Sequence, residues 1–172
     1  MNPPPWTVSY WFNTKAPFTL EGLRGRAVLA VAFQMLCPGC VSQGLPQAQR
    51  ARTTFREDDL AIVGLHTVFE HHEAQGSATA LEAFLHEYRI KFPVGIDAQE
   101  NGSPVTMRAY GMRGTPTTLL YDRAGQLRLH QFGHIEDMAL GASIVVAMAS
   151  EAQLKTHTAS TTGACGPEGC KP

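Results

Sequence analysis

The fold is indicated most clearly by one segment, Ala27-Val-Leu-Ala-Val-Ala-Phe-Gln-Met-Leu-Cys-Pro-Gly-Cys40. Its first seven residues are all apolar and follow the turn-like Leu23-Arg-Gly-Arg26, which predicts a strand buried on both faces, as at the centre of an α/β sheet. Pro38 then suits the first turn of a helix, where its missing N–H costs little, and the helix is predicted to continue to Phe55. The two cysteines therefore stand where a buried strand gives way to a helix.

Alternating strands and helices surround this central segment. Strands are predicted at residues 60–66, 92–96, 117–121 and 126–132, and helices at residues 77–88, 105–110 and 136–149. Such alternation implies crossover connections and parallel strands, whereas the turn Asp122-Arg-Ala-Gly125 predicts an antiparallel hairpin between the last two strands. We therefore predict a single α/β domain over residues 1–150, with a central mixed sheet and flanking helices.

Composition and charge are those of a soluble globular protein without nucleic-acid or membrane partners. Of the 172 residues, 44% are hydrophobic and 17% are charged, which suits one packed core. The 14 basic and 15 acidic residues leave a formal net charge of −1, so no binding to nucleic acid or an anionic membrane is predicted. The first residues lack a basic start and a long apolar run, so we expect no signal peptide and a cytoplasmic location.

Cys37 and Cys40 carry the strongest chemical signal. Cys37 is predicted at the start of a helix, where free N–H groups and the helix dipole favour thiolate over thiol. Cys40 lies one turn further along, close enough to attack a mixed disulfide formed by Cys37. The small residues Pro38 and Gly39 leave the Cys37 sulfur open to a large partner. This pattern favours redox chemistry; a zinc half-site with the same spacing and a pair of inert thiols are the alternatives.

A second cysteine pair lies in the C-terminal segment. Residues 151–172 are rich in Ser, Thr, Gly and Pro, and we expect a flexible tail there. Cys165 and Cys170 are separated by turn-forming residues and form a candidate auxiliary redox pair. Their tether gives them an effective concentration on the order of mM for exchange with Cys37 and Cys40. The alternatives are a site for a soft metal such as Cu(I) or Zn, or no role.

A Thr-Pro pair far along the chain completes a pattern seen in a known family. Gly114-Thr115-Pro116-Thr117 stands directly before the strand that opens the predicted hairpin. A cysteine pair after a central strand, followed much later by Thr-Pro before a β-hairpin, is similar to the thioredoxin superfamily. The segments Trp11–Thr14 and Phe18–Arg26, with a segment between residues 60 and 93 longer than a minimal thioredoxin needs, resemble its TlpA-like, or redoxin, branch.

The resemblance implies a thioredoxin-like fold with an insertion of the TlpA and peroxiredoxin type and a C-terminal β-hairpin plus helix. Cys37 would attack a disulfide as the thiolate, and Cys40 would resolve the mixed disulfide. A cis peptide bond at Thr115–Pro116 would lie beside Cys37 and, with Pro38–Gly39, would bind an extended partner. Expected partners are protein disulfides or small thiols and an unidentified thiol reductant, with no cofactor and no metal. In a reducing cytoplasm, net reduction of protein disulfides is favoured.

The sequence departs from the family's pattern at two places. Gln34-Met35-Leu36 stands where most relatives place an aromatic residue, usually Trp, just before the first cysteine or close to it. Pro46 follows Cys40 by six residues, whereas helices of the family place a proline about five residues after the second cysteine. We therefore expect altered helix geometry around Pro46, which should also kink the helix.

A peroxiredoxin-like thiol peroxidase is the nearest alternative function. That family resembles this one in fold and carries a Pro-x-x-x-Thr/Ser-x-x-Cys pattern, whose hydroxyl helps to bind peroxide. Counting back from Cys37, Gln34 stands in place of the Thr or Ser, and Ala30 in place of the Pro. Both required residues are missing, which weakens this alternative. A metal-binding or metallochaperone module that uses the two cysteine pairs or nearby histidines is the second alternative.

Several metal-capable side chains follow the second predicted strand, in His66-Thr-Val-Phe-Glu-His-His-Glu73. Such side chains can bind a metal or relay protons near the thiols. A polar loop is the simpler interpretation, because the adjacent His71 and His72 would point apart in an extended chain. Of these residues, His66 is expected to face the active-site cleft.

Overall fold

The structure, a computed structural model, describes residues 2–150. The predicted tail with Cys165 and Cys170 therefore lies outside the described residues. The strands are β1 (Val8–Phe12), β2 (Ala27–Phe33), β3 (Leu60–His66), β4 (Val94–Asp97), β5 (Gln99–Glu100), β6 (Ser103–Pro104), β7 (Thr117–Tyr121) and β8 (Leu127–Phe132). The helices are α1 (Leu45–Thr54), α2 (His72–Gln75), α3 (Ala78–Glu87), α4 (Val105–Ala109) and α5 (Asp137–Ala149), and a π-helical turn (Cys40–Gly44) precedes α1.

A mixed sheet with the strand order β1-β4-β3-β2-β7-β8 forms the centre of the molecule. β2 pairs in parallel with β3 and antiparallel with β7. Every residue of β2 and β3 is buried, so the prediction of strands covered on both faces is confirmed. Because β2 has a neighbour on either side, its carboxyl end is a fixed point from which the following chain starts.

Two apolar layers cover the sheet. On one face, α1, α3 and α5 contribute Leu45, Leu81 and Ile144 to a cluster with the odd-numbered side chains of β2. On the other face, the even-numbered side chains of β2 cluster with Met112 and with residues of the N-terminal segment such as Trp6. Each fully buried aliphatic side chain contributes about 1.5–3 kcal/mol. The helix that carries the cysteines is thus fastened to the first face through α1.

The helix that contains Cys40 begins at Pro38, as predicted, but its hydrogen-bond pattern changes within one turn. In the π turn Cys40–Gly44, the amide of Leu45 donates to the carbonyl of Cys40, five residues back. A π turn holds one residue more than an α turn, and one extra residue separates Pro46 from Cys40 relative to the family's helices. The expected departure from regular geometry is therefore taken up by a π turn that ends just before Pro46.

The second half of the chain follows the predicted order. α3 leads from β3 into β4, which pairs in parallel with β3. β7 and β8 form the predicted antiparallel hairpin, with Gly125 at φ 77° in its turn.

The sequence does not predict β1, which pairs antiparallel with β4 at the edge of the sheet, or the short pair β5 and β6. No helix within the described part of the chain is both long enough and apolar enough to cross a bilayer.

Candidate active site

Cys37 and Cys40 form a disulfide just beyond the carboxyl end of β2. Their Cα atoms are 5.2 Å apart. Cys37 is partly exposed and is followed by the exposed Pro38, whereas Cys40 is completely buried. This asymmetry makes Cys37 the sulfur that an approaching partner can reach.

Backbone amides at the start of the helix converge on Cys37. Its carbonyl oxygen accepts hydrogen bonds from the amides of Cys40, at 3.0 Å, and Val41, at 3.1 Å. The amide of Cys40 also donates to the Sγ of Cys37, at 3.2 Å. An amide donor and the positive end of the helix dipole stabilise a thiolate. After reduction of the disulfide, this environment favours the ionised form of Cys37.

The Thr115–Pro116 peptide lies beside Cys37 and is cis, as predicted. The carbonyl oxygen of Thr115 is 3.5 Å from the Sγ of Cys37. The buried Pro116 ring faces the helix at two glycines. A Cβ atom on Gly39 would lie 3.5 Å from Pro116 Cδ, and one on Gly44 would lie 3.0 Å from Pro116 Cβ. Glycine at position 44 therefore allows the π turn to approach the proline closely.

Exposed apolar side chains flank these residues. Leu36, immediately before Cys37, is 56% exposed, and Phe132 is 43% exposed. The Phe132 ring packs so closely on Gly114, next to the cis peptide, that a Cβ atom there would lie 2.8 Å from it. The guanidinium carbon of Arg113 lies 5.8 Å from the centre of the same ring, within the range of a cation–π contact. The surface beside Cys37 and the cis peptide thus includes an aliphatic side chain next to the cysteine in sequence and an aromatic ring with a cation over it next to Gly114.

Two buried glutamines next to the cysteine pair were not anticipated as a unit. Gln34 follows β2 and Gln75 ends α2, and both are buried. Nε2 of Gln75 donates to Oε1 of Gln34, and Oε1 of Gln75 accepts from the amide of Leu36, each at 3.0 Å. In the sequence, Gln34 stands out by its place three residues before Cys37. Nothing marks Gln75, because a four-residue helix leaves no periodic signal.

His66 does not face the active-site cleft, and that expectation is wrong. It is completely buried, with its ring centre 5.4 Å from that of Phe33, and neither ring nitrogen finds a hydrogen-bond partner among residues 2–150. The physical reason is strand register, because β3 pairs residue 66 with Phe33 on one side and Ile96 on the other, inside the sheet. Burial lowers the pKa of His66 to about 4, which keeps the ring neutral at physiological pH.

The other histidines of this segment lie on the surface. His71 and His72 are exposed at the start of α2. Over residues 2–150, no group of three or more His, Cys, Asp or Glu side chains is arranged to hold a metal ion. The alternative that adds Cys165 and Cys170 to a metal site concerns residues that the structure does not describe.

Comparison with known proteins extends these observations. Residues 5–130 match the model of the AhpC/TSA family. A thioredoxin-like superfamily protein of known crystal structure is 53% identical, with a TM-score of 0.84 over 86% of this chain and 96% of that chain. A thiol-disulfide isomerase from Corynebacterium glutamicum is 40% identical, with a TM-score of 0.80 over 84% of this chain and 94% of that chain. The predicted thioredoxin-like fold is confirmed.

Curated relatives point to the same branch. The thiol-disulfide oxidoreductase ResA of Halalkalibacterium halodurans is 26% identical over 120 residues, which are 69% of this chain and 61% of that protein. ResA of Bacillus anthracis is 25% identical over 108 residues, which are 63% of this chain and 56% of that protein. The chain spans about three-fifths of the length of the curated relatives it matches. It belongs to the AhpC/TSA family and is a redoxin-type member of the thioredoxin superfamily.

Proposed function

We propose that the protein is a thiol–disulfide oxidoreductase with Cys37 and Cys40 as its redox pair. The observation that carries the proposal is the asymmetry of the pair. Cys37 is partly exposed with the amide of Cys40 at 3.2 Å from its sulfur, and the Cys40 side chain is buried one helical turn further on. An attacking thiol needs access and a stabilised thiolate, and a resolving thiol must be close to it yet shielded from competing partners. The two cysteines meet these different requirements.

Two exchange steps would reduce the disulfide of a partner. The Cys37 thiolate attacks one sulfur of that disulfide, a mixed disulfide forms, and the other sulfur leaves as a thiolate that takes up a proton. The Cys40 thiolate then attacks the Cys37 sulfur, the Cys37–Cys40 disulfide forms, and the second partner thiolate leaves. The partner gains two electrons and two protons, which the protein loses. A thiol reductant restores the dithiol.

Thr115 and Pro116 would align the partner chain during these steps. The carbonyl oxygen of Thr115 lies 3.5 Å from the Cys37 sulfur, so a chain bonded to that sulfur would pass along the backbone of Thr115. Such a chain can pair with the loop as an added strand. Pro38 and Gly39 leave the approach to the sulfur uncovered, because neither has a long side chain.

A protein thiol or disulfide suits the surroundings of Cys37 as a partner. The exposed side chains of Leu36 and Phe132 offer apolar contacts of the kind that side chains of another protein make at an interface. Arg113, stacked over the Phe132 ring, adds a positive charge at the edge of this surface. A small thiol would leave much of it unused.

Gln34 argues against peroxide reduction as the main activity. Its Oε1 accepts from the amide of Phe69 at 3.2 Å and from Gln75 at 3.0 Å, so the side chain three residues before Cys37 is engaged inside the protein. A glutamine has no hydroxyl to offer a peroxide, and the oxygen of this side chain is already engaged by Phe69 and Gln75. Turnover of hydrogen peroxide faster than turnover of disulfides, and lost with Cys37→Ser, would establish the peroxidase instead.

The direction of exchange is proposed to be reduction in a cytoplasmic setting, where the thiol pool keeps disulfides reduced. A reduction potential of the Cys37–Cys40 pair near that of thioredoxin, about −270 mV, would support this direction. A potential near about −120 mV, like that of a strong oxidant, would reverse it.

Reduction of insulin disulfides by dithiothreitol, followed by turbidity, tests the proposal. The wild-type protein should accelerate the reaction, and Cys37→Ser and Cys40→Ser should abolish the acceleration. A variant with Cys165→Ser and Cys170→Ser tests the tail, since a slower rate would identify these cysteines as a relay from the reductant to the first pair. A wild-type protein that adds nothing to dithiothreitol alone would refute the proposed activity.

A further inference from the structure

A backbone turn and one side chain hold the short segment that joins β2 to Cys37. The amide of Leu36 donates to Oε1 of Gln75 at 3.0 Å. The amide of Cys37 donates to the carbonyl of Gln34 at 3.4 Å, which closes a turn over residues 34–37. The backbone before the reactive sulfur is therefore held by a backbone turn that begins at Gln34 and by the side chain of Gln75 from α2.

Gln34 and Gln75 form an amide cluster with the segment that follows β3. Oε1 of Gln34 accepts from Nε2 of Gln75 at 3.0 Å and from the amide of Phe69 at 3.2 Å. Nε2 of Gln75 also donates to the backbone carbonyl of Glu70 at 2.9 Å, and Nε2 of Gln34 donates to the Glu70 carboxylate at 3.4 Å. Each side-chain oxygen and nitrogen of the two glutamines thus has a partner.

The burial of these amides points to a positional role. Desolvating an amide is unfavourable, and its hydrogen bonds in the protein do little more than restore what water supplied. Apolar side chains of the same size would fill this space, but they would leave the backbone amides of Leu36 and Phe69 without these acceptors. Hydrogen bonds differ from apolar contacts because they fix both distance and direction. The cluster therefore defines where Leu36 lies, and the next residue is Cys37.

We infer that Gln34 and Gln75 are positioning residues that hold the Leu36–Cys37 backbone so that the reduced Cys37 sulfur stays beside the amide of Cys40. The inference rests on the proposed function of Cys37. The two glutamines act through the backbone amides of the segment. When the cluster is lost, the segment can shift, the contact of 3.2 Å between the Cys40 amide and the sulfur weakens, and a smaller fraction of Cys37 is thiolate at neutral pH.

Methionine substitutions provide a matched test. Methionine is close to glutamine in length and volume but cannot make the hydrogen bonds of the cluster. Gln75→Met removes the acceptor of Leu36, and Gln34→Met removes support for Gln75. Gln47 serves as the control, because it is also buried and its Nε2 donates to the Ile135 carbonyl at 2.7 Å and to Asp137 at 2.8 Å, joining α1 to α5.

The readout is the pH dependence of iodoacetamide alkylation of the reduced protein, with Cys37 resolved from the other cysteines by peptide mass spectrometry. Gln75→Met should raise the midpoint pH of Cys37 alkylation by about one unit and slow alkylation at neutral pH by up to about tenfold. Gln34→Met should shift it in the same direction by less, because Gln75 can still accept from Leu36. Gln47→Met should lower the urea midpoint of unfolding and leave the alkylation midpoint unchanged.

Stability and reactivity together decide the outcome. If Gln75→Met and Gln34→Met lower the urea midpoint as Gln47→Met does and leave Cys37 alkylation unchanged, the glutamines are structural only and the inference is overturned. If Gln75→Met does not fold, Gln34→Met decides alone by the same criterion. Because alkylation needs no partner protein, this result is independent of whether the protein reduces insulin.

Discussion

Cys37 lies beyond the carboxyl end of β2, and His66 lies at the carboxyl end of the neighbouring parallel strand β3, but the surroundings of the two residues differ. Cys37 has left the sheet, is partly exposed and receives an amide hydrogen bond on its sulfur. His66 is the last residue of β3, is completely buried, and has no hydrogen-bond partner on either ring nitrogen in the described part of the chain. Its neighbour across the sheet is Phe33, four residues before Cys37.

A position at the carboxyl end of a central strand is therefore not sufficient to make a side chain reactive. Cys37 gains access and electrostatic support because the chain leaves the sheet before it and begins a helix directly after it. His66 still lies within the strand pairing, where burial keeps it neutral. Changes at Cys37 should therefore affect rate more than stability, and changes at His66 should affect stability more than rate.

The largest contrast is expected between Cys37→Ser and His66→Leu in the insulin assay. A serine hydroxyl is not ionised at neutral pH, so Cys37→Ser should slow exchange by about 10³-fold or more. His66→Leu replaces the buried ring with an apolar side chain of similar volume and should keep the rate within about threefold. A folded His66→Leu protein without activity would mean that His66 takes part in the reaction.

The stability of the protein should depend on His66 below neutral pH. The pKa of His66 is about 4 in the folded protein and about 6.5 in an unfolded chain. As the pH falls, the unfolded state binds the proton first. The free energy of unfolding is therefore unaffected by this proton above about pH 6.5, and it decreases as the pH falls towards 4. Between pH 7.5 and pH 4.5, the protonation of His66 should lower the free energy of unfolding by about 2.5 kcal/mol.

Urea unfolding at these two pH values, for wild type and His66→Leu, checks this prediction. The variant should lose about 2 to 3 kcal/mol less than the wild type on acidification. Equal losses in the two proteins would show that His66 is not kept neutral by burial.

Two tightly packed glycines, one near the cysteine pair and one in β3, allow the same comparison with the addition of a single methyl group. A Cβ atom at Gly44 would lie 3.0 Å from Pro116 Cβ, and one at Gly64 in β3 would lie 3.0 Å from Val94. Each alanine should destabilise the protein by about 1–3 kcal/mol. Gly44→Ala should also slow insulin reduction several-fold, because it presses the helix away from the cis peptide, while Gly64→Ala should leave the rate of the folded protein unchanged.

The smallest effect is expected at the exposed surface beside the sulfur. Leu36→Ser should raise the KM for insulin about two- to fivefold, in proportion to a lost apolar contact, and leave the rate with a small aromatic disulfide unchanged. Met138→Ser, at an 89% exposed position on α5, is the matched control and should change neither. Equal losses with both substrates would indicate that Leu36 acts on Cys37 itself.

The sequence could predict the elements whose signals are local. Continuous apolar runs mark β2 and β3 as buried strands, and Asp122–Gly125 marks the hairpin, because a turn with a glycine at positive φ leaves a clear pattern. The cis peptide at Thr115–Pro116 followed from the family resemblance, since nothing in one isolated Thr-Pro step requires that geometry.

Other features depend on contacts between distant segments. β1 lies at an edge of the sheet and finds its place by pairing with β4, far along the chain. The burial of His66 follows from strand register, and the role of Gln75 follows from the fold of a four-residue helix against the segment before Cys37. The position of Pro46, which departs from the family pattern, predicted only altered helix geometry. The structure was needed to identify that alteration as a π turn.

The central claim is that Cys37 is the sulfur that attacks a partner's disulfide, and trapping tests it most directly. The reduced Cys40→Ser variant would be incubated with insulin, and the linkage in any covalent complex would be located by peptide mass spectrometry. We predict a stable mixed disulfide through Cys37 that dithiothreitol releases. No complex, or one joined through Cys165 or Cys170 and not through Cys37, would contradict the account.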